Sequence, residues 1–277
     1  MLTELLQAAS TKRVLFMGET IIDVYHYVKP LGRPLKESIV SVEHMTTEEF
    51  TGGVVAAARH AKDFVASTEI FSNGDRIRKE RWVEESHVRK LFEMYKPTRH
   101  KQPPPKDIPN YDVVIVTDYG HGMMTPELVS KVCNEARYLA VNVQTNSGNF
   151  GFNLATKYPR ADYLVVDEPE ARLATQNRIG RIEDSIETLA KIAPKVVITL
   201  GKKGALGWDG SLHYCPAFVD KVVDTIGAGD AFFAITACMA EGPMPLLLRI
   251  GNAAGALKAQ IVGHREAVTK DALLGLL

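Results

Sequence analysis

The sequence predicts an α/β fold with a doubly wound, mainly parallel sheet flanked by helices, and a small β-sheet beside it. Short apolar runs such as 111–117 are too short for helices and are typical of strands buried on both faces. These runs alternate with helical stretches, which indicates a mainly parallel sheet. The small sheet would combine four further strand-like runs, at 21–28, 38–45, 78–84 and 89–95.

Length and composition narrow the class of protein. The chain has 277 residues, and we expect one domain over 1–277. Hydrophobic residues make up 45% and charged residues 24%, as in ordinary globular proteins. The 33 basic and 33 acidic residues balance, so nothing favours binding to nucleic acid or to an anionic membrane. No apolar run approaches the ~20 residues of a membrane span. Three widely spaced cysteines predict reduced thiols and a cytoplasmic location.

Local patterns define the elements of the first half. Residues 3–10 form a short helix, and the apolar run after Arg13 is a strand that ends in a turn at Gly18. β-branched and aromatic residues favour a strand at 21–28, and alternation favours one at 39–45. Thr51-Gly52-Gly53 opens an alanine-rich helix over 54–65. A strand and turn follow at 69–75, then the strand pair 78–84 and 89–95, and a proline-rich connector over 97–109.

The second half alternates more regularly. After the strand 111–117, Thr125 caps a helix through Arg137 that has Pro126 at its first position. A strand at 138–143 leads into a loop rich in Asn and Gly over 144–153. A strand at 161–167 precedes a helix that begins at 168, and a strand at 195–200 precedes a hairpin across Asp209-Gly210. Helices follow at 245–261 and from about 270.

One stretch carries the chemistry: Asp224-Thr225-Ile226-Gly227-Ala228-Gly229-Asp230-Ala231-Phe232-Phe233. It follows a β-rich run at 219–223, which predicts a strand end, a glycine turn and a helix start. Glycines permit close approach of the backbone to a ligand, and amides at a helix N-terminus attract anions. Asp230, in the first turn, could take a hydroxyl proton during phosphoryl transfer. A capped helix after a glycine turn explains the same residues without a ligand.

Residues 224–232 resemble the C-terminal signature of the ribokinase-like (PfkB) carbohydrate kinases. The resemblance implies that Asp230 is the catalytic base and that Gly227, Ala228 and Gly229 form an anion hole. It also implies ATP as phosphate donor together with Mg²⁺, and it leaves a role for a monovalent cation open.

The resemblance extends to residues that would bind the acceptor. Gly18-x-x-x-x-Asp23-x-Tyr25 resembles the first motif of the D-glycero-D-manno-heptose 7-phosphate kinase branch, where the Asp binds the sugar. Gly52-Gly53 resembles the second signature, but the Asn that usually follows is missing, and Ala56 lies in that segment. Asp118-Tyr119-Gly120-His121-Gly122 resembles Asp-Tyr-x-Lys-Gly with His121 replacing Lys. The implied acceptor-binding residues are Asp23, Tyr25, Gly52, Gly53 and Asp118.

Other motifs resemble the nucleotide and metal sites of the family. Thr199-Leu200-Gly201-x-x-Gly204 resembles the segment that lines the ATP phosphates and ribose. The implied ATP-binding residues are Thr199, Gly201, Gly204, Thr225 and Asn252. The family has Asn-x-x-Glu where this chain has Asp167-x-x-Glu170, and there the Glu organises Mg²⁺ through water. Glu170 and Asp167 are therefore the implied metal residues.

The expected function is transfer of the ATP γ-phosphate to a hydroxyl of a sugar or sugar phosphate, of the heptose-phosphate kind. A nucleoside or other small-alcohol kinase is one alternative. A degenerate, non-catalytic binding domain is another, favoured by the departures at Ala56, His121 and Asp167 and by the apparent loss of one β-α unit near 75.

The resemblance implies that the small sheet, inserted from about 21–50 and 78–97, is a lid over the sugar site and can form a homodimer interface. Its basic residues are a solvated edge or a grip on a substrate phosphate: Arg78, Arg81, Arg89 and Lys90. The loop 144–153 resembles kinase domains fused to cytidylyltransferase-like domains, which suggests a fused or partner nucleotidyltransferase.

Overall fold

The computed structural model describes residues 1–32, 34–72, 77–97, 103–218 and 222–277. Its strands are β1 (Arg13–Gly18), β2 (Thr20–Pro30), β3 (Val42–Gly53), β4 (Ser67–Phe71), β5 (Ile77–Glu84), β6 (Arg89–Lys96), β7 (Val113–Asp118), β8 (Leu139–Val143), β9 (Tyr163–Asp167), β10 (Lys195–Thr199), β11 (Ala205–Trp208) and β12 (Leu212–Cys215). Its α-helices are α1 (Leu2–Ala9), α2 (Val54–Ala61), α3 (Pro126–Glu135), α4 (Glu168–Thr175), α5 (Asp184–Leu189), α6 (Ala228–Ala237), α7 (Met244–Lys258) and α8 (Lys270–Leu276).

The central sheet confirms the predicted doubly wound architecture. Within the described ranges its strand order is β12-β11-β10-β9-β8-β7-β1-β4, and all pairs from β10 to β4 are parallel. An apolar cluster covers each face. Phe233 of α6 and Leu247 of α7 belong to one cluster, and Val132 of α3 and Leu189 of α5 belong to the other. Burial on both faces explains why these strands read as continuous apolar runs.

The four remaining strand-like runs form the small sheet, with the order β3-β2-β5-β6. β2 and β5 are parallel, and the outer pairs are antiparallel. β3 is longer than predicted and includes Gly52 and Gly53, so Thr51-Gly52-Gly53 is the end of a strand that leads directly into α2. Gly53 has φ +62°, and a Cβ there would lie 2.2 Å from the Glu19 carbonyl oxygen. Close packing against the β1–β2 junction therefore requires glycine at this position.

Several predicted boundaries change. The helix predicted over 54–65 ends at Ala61 and is followed by a 3₁₀ turn over Lys62–Phe64, and the helix predicted over 245–261 ends at Lys258. The Thr125 cap is confirmed, because its side chain accepts a hydrogen bond from the Leu128 amide. Within the described ranges, every helix is too short or too polar to cross a bilayer.

The segment before the glycine turn is not a strand where it is described. Of the predicted β-rich run, 219–221 lie outside the described residues, as do 73–75 of the predicted strand and turn and 98–102 of the connector. Val222 to Thr225 have irregular backbone. The amides of Val223 and Asp224 both donate to the Ala259 carbonyl, at 2.8 and 3.1 Å. Contact with the chain beyond α7, rather than a sheet, therefore fixes the entry to the turn.

Candidate active site

The glycine turn leaves amides free at the start of α6. Gly227 has φ +79°, and a Cβ there would lie 2.8 Å from the His264 ring, so this position requires glycine. At Gly229 a Cβ would meet nothing within 4 Å. The Ala228 amide donates to the Thr225 carbonyl at 3.2 Å, whereas the amides of Gly227, Gly229 and Asp230 have no acceptor among the described residues. Three amides are therefore available to an anion, and that of Ala228 is engaged within the turn.

Asp230 lies beside these amides as the third residue of α6. Its side chain is buried, and Oδ1 accepts hydrogen bonds from the Tyr119 hydroxyl at 3.1 Å and from Gln144 Nε2 at 2.6 Å. Burial raises the pKa of Asp230 above its usual value, although the nearby His264 and the two hydrogen bonds act in the opposite direction. A buried carboxylate with a raised pKa, fixed in one orientation, is suited to accept a proton.

The residues that hold Asp230 come from loops after two adjacent parallel strands, β7 and β8. The loop after β7 is itself held by Glu19, whose carboxylate accepts hydrogen bonds from the amides of Tyr119, His121 and Met123 at 3.1–3.2 Å. Burial, with the charge of Asp118, raises the pKa of Glu19 to about 7. Glu19 was not among the residues predicted from the sequence. Its signal was an acidic residue directly after Gly18 in an apolar stretch.

Asp23, on β2, lies in a separate buried cluster with Arg81 and His264. Oδ1 accepts a hydrogen bond from Arg81 Nη1 of β5, and Oδ2 lies 3.4 Å from His264 Nε2. Burial acts to raise the pKa of Asp23, but His264 and Arg81 outweigh it and hold that pKa below its usual value. Gly52 packs against this group, since a Cβ there would lie 2.4 Å from Oδ2. The structure thus brings the predicted Asp23 and Gly52 together.

His264 contacts Asp23, lies near Asp230, and was not predicted from the sequence. Its Nε2 faces Asp23, and its ring packs against Gly227. Its charge acts to lower the pKa of Asp230. Nδ1 is buried without a hydrogen-bond partner among the described residues. A single His in the irregular chain after α7 carried no sequence signal, because its position depends on contacts with β2 and with the turn.

Tyr25 and Asp118, both predicted to bind the acceptor, make protein contacts instead. The buried Tyr25 hydroxyl donates to Asp224 Oδ2 at 2.8 Å. Asp118 Oδ2 accepts from the Tyr158 hydroxyl at 2.7 Å and pairs with Lys157 Nζ at 2.5 Å. Neither residue is exposed. A direct contact of either with a sugar stays a prediction, and their observed role is to support the walls of the site.

Asp224 ties the small sheet to the glycine turn. Its carboxylate accepts hydrogen bonds from Lys90 Nζ of β6 at 2.6 Å, from the Ile226 amide at 3.1 Å and from the Gly263 amide at 2.9 Å. Burial acts to raise the pKa of Asp224, but Lys90 and these amides hold it below its usual value. This carboxylate therefore links β6 of the small sheet to the glycine turn and to the chain after α7.

A cleft of about 530 Å³ borders the glycine turn at Thr225, Ala228 and Gly229. The structure brings all five predicted ATP-binding residues to its wall: Thr199, Gly201, Gly204, Thr225 and Asn252. Gly229 and Asp167 also line it, while Leu200, Phe218 and Ala256 give it an apolar wall. Its size and mixed lining suit a small organic ligand. Contact of these residues with ATP stays a prediction.

Asp167 and Glu170 form a capping box at the start of α4. The Glu170 amide donates to Asp167 Oδ1, the Asp167 amide donates to Glu170 Oε2, and the Thr145 amide donates to Glu170 Oε1, at 2.8–2.9 Å. Burial, with the charge of Asp167, raises the pKa of Glu170 to about 8. No Lys or Arg of the described residues pairs with either carboxylate. A divalent cation would supply that missing charge.

Asp167 and Glu170 fit Mg²⁺, because this ion is usually held by one or two protein carboxylates, by substrate phosphates and by several waters. No group of three or more metal-binding side chains exists within the described ranges. An ion here would therefore depend on phosphate oxygens as well as on Asp167 and Glu170.

The four basic residues predicted on the small sheet are all paired with carboxylates. Their partners are Glu49 for Arg78, Asp23 for Arg81, Glu84 for Arg89 and Asp224 for Lys90. Lys79, which lies beside Asp23 in the β2–β5 register, has no ion pair with a described residue. Burial lowers the pKa of Lys79, and the carboxylates of Glu93, Asp23 and Asp230 act to raise it. Among the described residues, Lys79 is thus a basic side chain next to Asp23 that has no ion pair.

Known proteins resemble this chain in sequence. Residues 124–271 match the pfkB family carbohydrate kinase. Curated relatives include the bifunctional protein HldE of Campylobacter curvus, 25% identical over 169 residues, covering 58% of this chain and 36% of that protein. The bifunctional protein HldE of Campylobacter jejuni serotype O:2 is 31% identical over 140 residues, covering 48% and 30%. The matched part of the chain spans about a third of the length of these relatives.

Solved structures share the fold over nearly the whole chain. Arabidopsis thaliana ribokinase, complexed with ribose and ATP, has a TM-score of 0.72 at 15% identity, covering 96% of this chain and 98% of that one. Escherichia coli phosphofructokinase-2, in complex with potassium, has a TM-score of 0.69 at 13% identity, with the same coverage. The described architecture is therefore a ribokinase-like fold.

Proposed function

The chain belongs to the pfkB family of carbohydrate kinases, and we propose that it transfers the γ-phosphate of ATP to a hydroxyl of a sugar phosphate, with Asp230 as the general base. One observation carries this proposal: a buried, hydrogen-bonded carboxylate shares one turn beside a cleft with three amides that have no acceptor among the described residues. The amides can hold the charge of the moving phosphoryl group while the carboxylate takes the hydroxyl proton.

The residues around Asp230 have separate roles in the proposed transfer. Tyr119 and Gln144 both donate to Oδ1, so they fix the carboxylate and leave Oδ2 to face the acceptor hydroxyl. As the hydroxyl oxygen bonds to the γ-phosphorus, its proton passes to Asp230, and the bond to the leaving ADP oxygen breaks. The amides of Gly227, Gly229 and Asp230 stabilise the transferred group. Mg²⁺ held through Asp167 and Glu170 would neutralise phosphate charge when bound.

The acceptor end favours a phosphorylated sugar. Asp23 and His264 would hold acceptor hydroxyls near Asp230, and Lys79 beside them has no ion pair with a described residue. A phosphate on the acceptor would give Lys79 a partner of opposite charge. The resemblance of the Asp23 motif to heptose-phosphate kinases and the matches to bifunctional HldE proteins support a heptose phosphate as the first acceptor to try.

The test is ATP consumption with matched pairs of sugars and sugar phosphates, heptose 7-phosphates included, for the wild type, Lys79→Met and Lys96→Met. Lys96 lies on β6, is half exposed and pairs with Glu80, so it controls for loss of a surface cation. We expect turnover with a sugar phosphate, and a KM for that acceptor at least about tenfold higher in Lys79→Met only. Equal use of the unphosphorylated sugar, with no effect of Lys79→Met, would rule out the phosphate grip. No turnover with any acceptor would favour a binding domain.

We further propose that the small sheet forms a homodimer and that the chain works with a fused or partner nucleotidyltransferase in the cytoplasm. Exposed apolar side chains on the sheet, Met45, Phe92 and Met94, support the dimer. The short span of the chain on its bifunctional relatives supports the partner, and three free cysteines support the location. Molar mass by light scattering for the wild type and Phe92→Glu tests the dimer, which the charge should dissociate.

A further inference from the structure

A buried ammonium group lies directly behind the glycine turn. Lys258, the last residue of α7, has no exposed surface. Its Nζ donates to the carbonyl oxygens of Gly263 at 2.7 Å, Ile226 at 2.8 Å and Ile261 at 3.4 Å. No carboxylate of the described residues lies within ion-pair distance of it. Burying a charge without an ion pair is costly, so this lysine calls for an explanation beyond packing.

The group that surrounds the ammonium has the composition of a monovalent-cation site. Rings of backbone carbonyls are the ligands that replace the hydration shell of potassium in proteins. The three carbonyls come from the turn and from the chain after α7, and the carboxylate of Asp224 bonds the Gly263 amide at 2.9 Å just outside them. Burial lowers the pKa of Lys258, while the charges of Asp224 and Asp230 oppose that shift and favour the ammonium form.

One of these carbonyls belongs to the peptide bond that carries the first free amide. Ile226 C=O and Gly227 N–H are on the same peptide unit, which is trans, so they point in opposite directions. Because Lys258 holds the carbonyl, the Gly227 N–H is turned away from the lysine. The ammonium also adds positive charge behind the N-terminus of α6, where the helix dipole is already positive.

We propose that Lys258 is a positioning residue whose ammonium is a tethered monovalent cation, fixing the turn at 226–229 so that this kinase needs no free potassium or ammonium ion at that position. The proposal rests on the proposed function, since it assigns the turn to phosphate binding. It makes Lys258 the counterpart, within the chain, of an ion that would otherwise be drawn from solution.

The test is ion-specific rescue. Lys258→Ala removes the side chain and leaves the three carbonyls, whereas Lys258→Met fills the same space without charge. Turnover and thermal melting are measured in potassium, ammonium, sodium and tetramethylammonium chlorides at constant ionic strength. We expect wild-type turnover to be the same in potassium and tetramethylammonium. We expect Lys258→Ala to lose at least about tenfold in kcat with little change in the KM for the acceptor, and potassium or ammonium to restore it saturably.

Lys258→Met should not be rescued, because its side chain fills the carbonyl cage. Stimulation of the wild type by potassium, full activity of Lys258→Ala without rescue ions, or loss that no ion restores would each overturn the proposal. If Lys258→Ala unfolds in sodium, an increase in its melting temperature specific to potassium or ammonium supports the cage, and the lack of one overturns it. The melting experiment needs no substrate, so it separates this inference from failure of the proposed function.

Discussion

Gly229→Ala should separate stability from catalysis. Gly229 is the second residue of α6, and a Cβ there meets nothing within 4 Å, so the fold accommodates it. Alanine is favoured over glycine in a helix by up to about 1 kcal/mol, which corresponds to an increase of about 2–4 °C in melting temperature for a chain of this size. The same methyl group projects from the wall of the cleft, where the phosphoryl group would pass.

Turnover should therefore fall while stability is kept. A displacement of about 1 Å in the bound phosphate is enough to cost about a hundredfold in kcat. Gly227→Ala is the contrasting variant, since φ +79° and the 2.8 Å approach to His264 should destabilise the fold by at least about 2 kcal/mol. Gly275→Ala, in α8 with an equally free Cβ, controls for helix propensity alone.

The assays are urea unfolding and steady-state kinetics with saturating ATP. Stability equal to or above wild type with kcat reduced about a hundredfold is the expected result for Gly229→Ala. Unchanged kcat and KM for ATP would show that the phosphoryl group does not pass over Gly229. A loss of stability would show that the open space at this position is misjudged.

Two further predictions concern charges around the site. Burial raises the pKa of Glu170 from 4.5 to about 8, so the folded state binds a proton at Glu170 more tightly than the unfolded state does. The protonated carboxyl therefore contributes stability that is fully present below pH 4.5. That stability should be lost as the pH rises from 4.5 to 8. Urea unfolding across this range should show wild type losing stability relative to Glu170→Gln, and parallel curves would contradict the raised pKa. Lys90→Met leaves the buried Asp224 carboxylate without its cation and should cost about 1.5–3 kcal/mol, whereas Lys96→Met, on the same strand but half exposed, should cost less than about 1 kcal/mol. Equal losses for the two lysine variants would remove the special role given to the Lys90–Asp224 pair.

The central sheet could be predicted, together with the edge at which the cleft opens, because its strands follow from local patterns. Continuous apolar runs identified the parallel strands, and carboxyl ends of such strands meet at one edge. Thr199, at the end of β10, and Asp167, at the end of β9, therefore had to lie close together, and both line the cleft. The Thr125 cap was predictable for the same reason, since it involves residues three apart.

The support of the site could not be predicted because it depends on distant contacts. Tyr119 and Gln144 reach Asp230 from two loops whose shape is set by Glu19 and by side chains far along the chain. His264 has meaning only beside Asp23 and Gly227. Thr51-Gly52-Gly53 was predicted to open a helix, and the structure shows that these residues also end β3. That part of the strand could not be predicted, because it depends on pairing with β2, about thirty residues earlier in the chain.

The most direct measurement is substrate-dependent ATP turnover of Asp230→Asn against wild type. Asparagine keeps the size of the side chain and an oxygen that can accept from Tyr119 and Gln144, so the variant should fold with unchanged or higher stability. Loss of the general base should reduce kcat by about 10²–10⁴-fold and leave the KM for ATP nearly unchanged. Turnover of the folded variant within a few fold of wild type would contradict the assignment of Asp230 as the catalytic base.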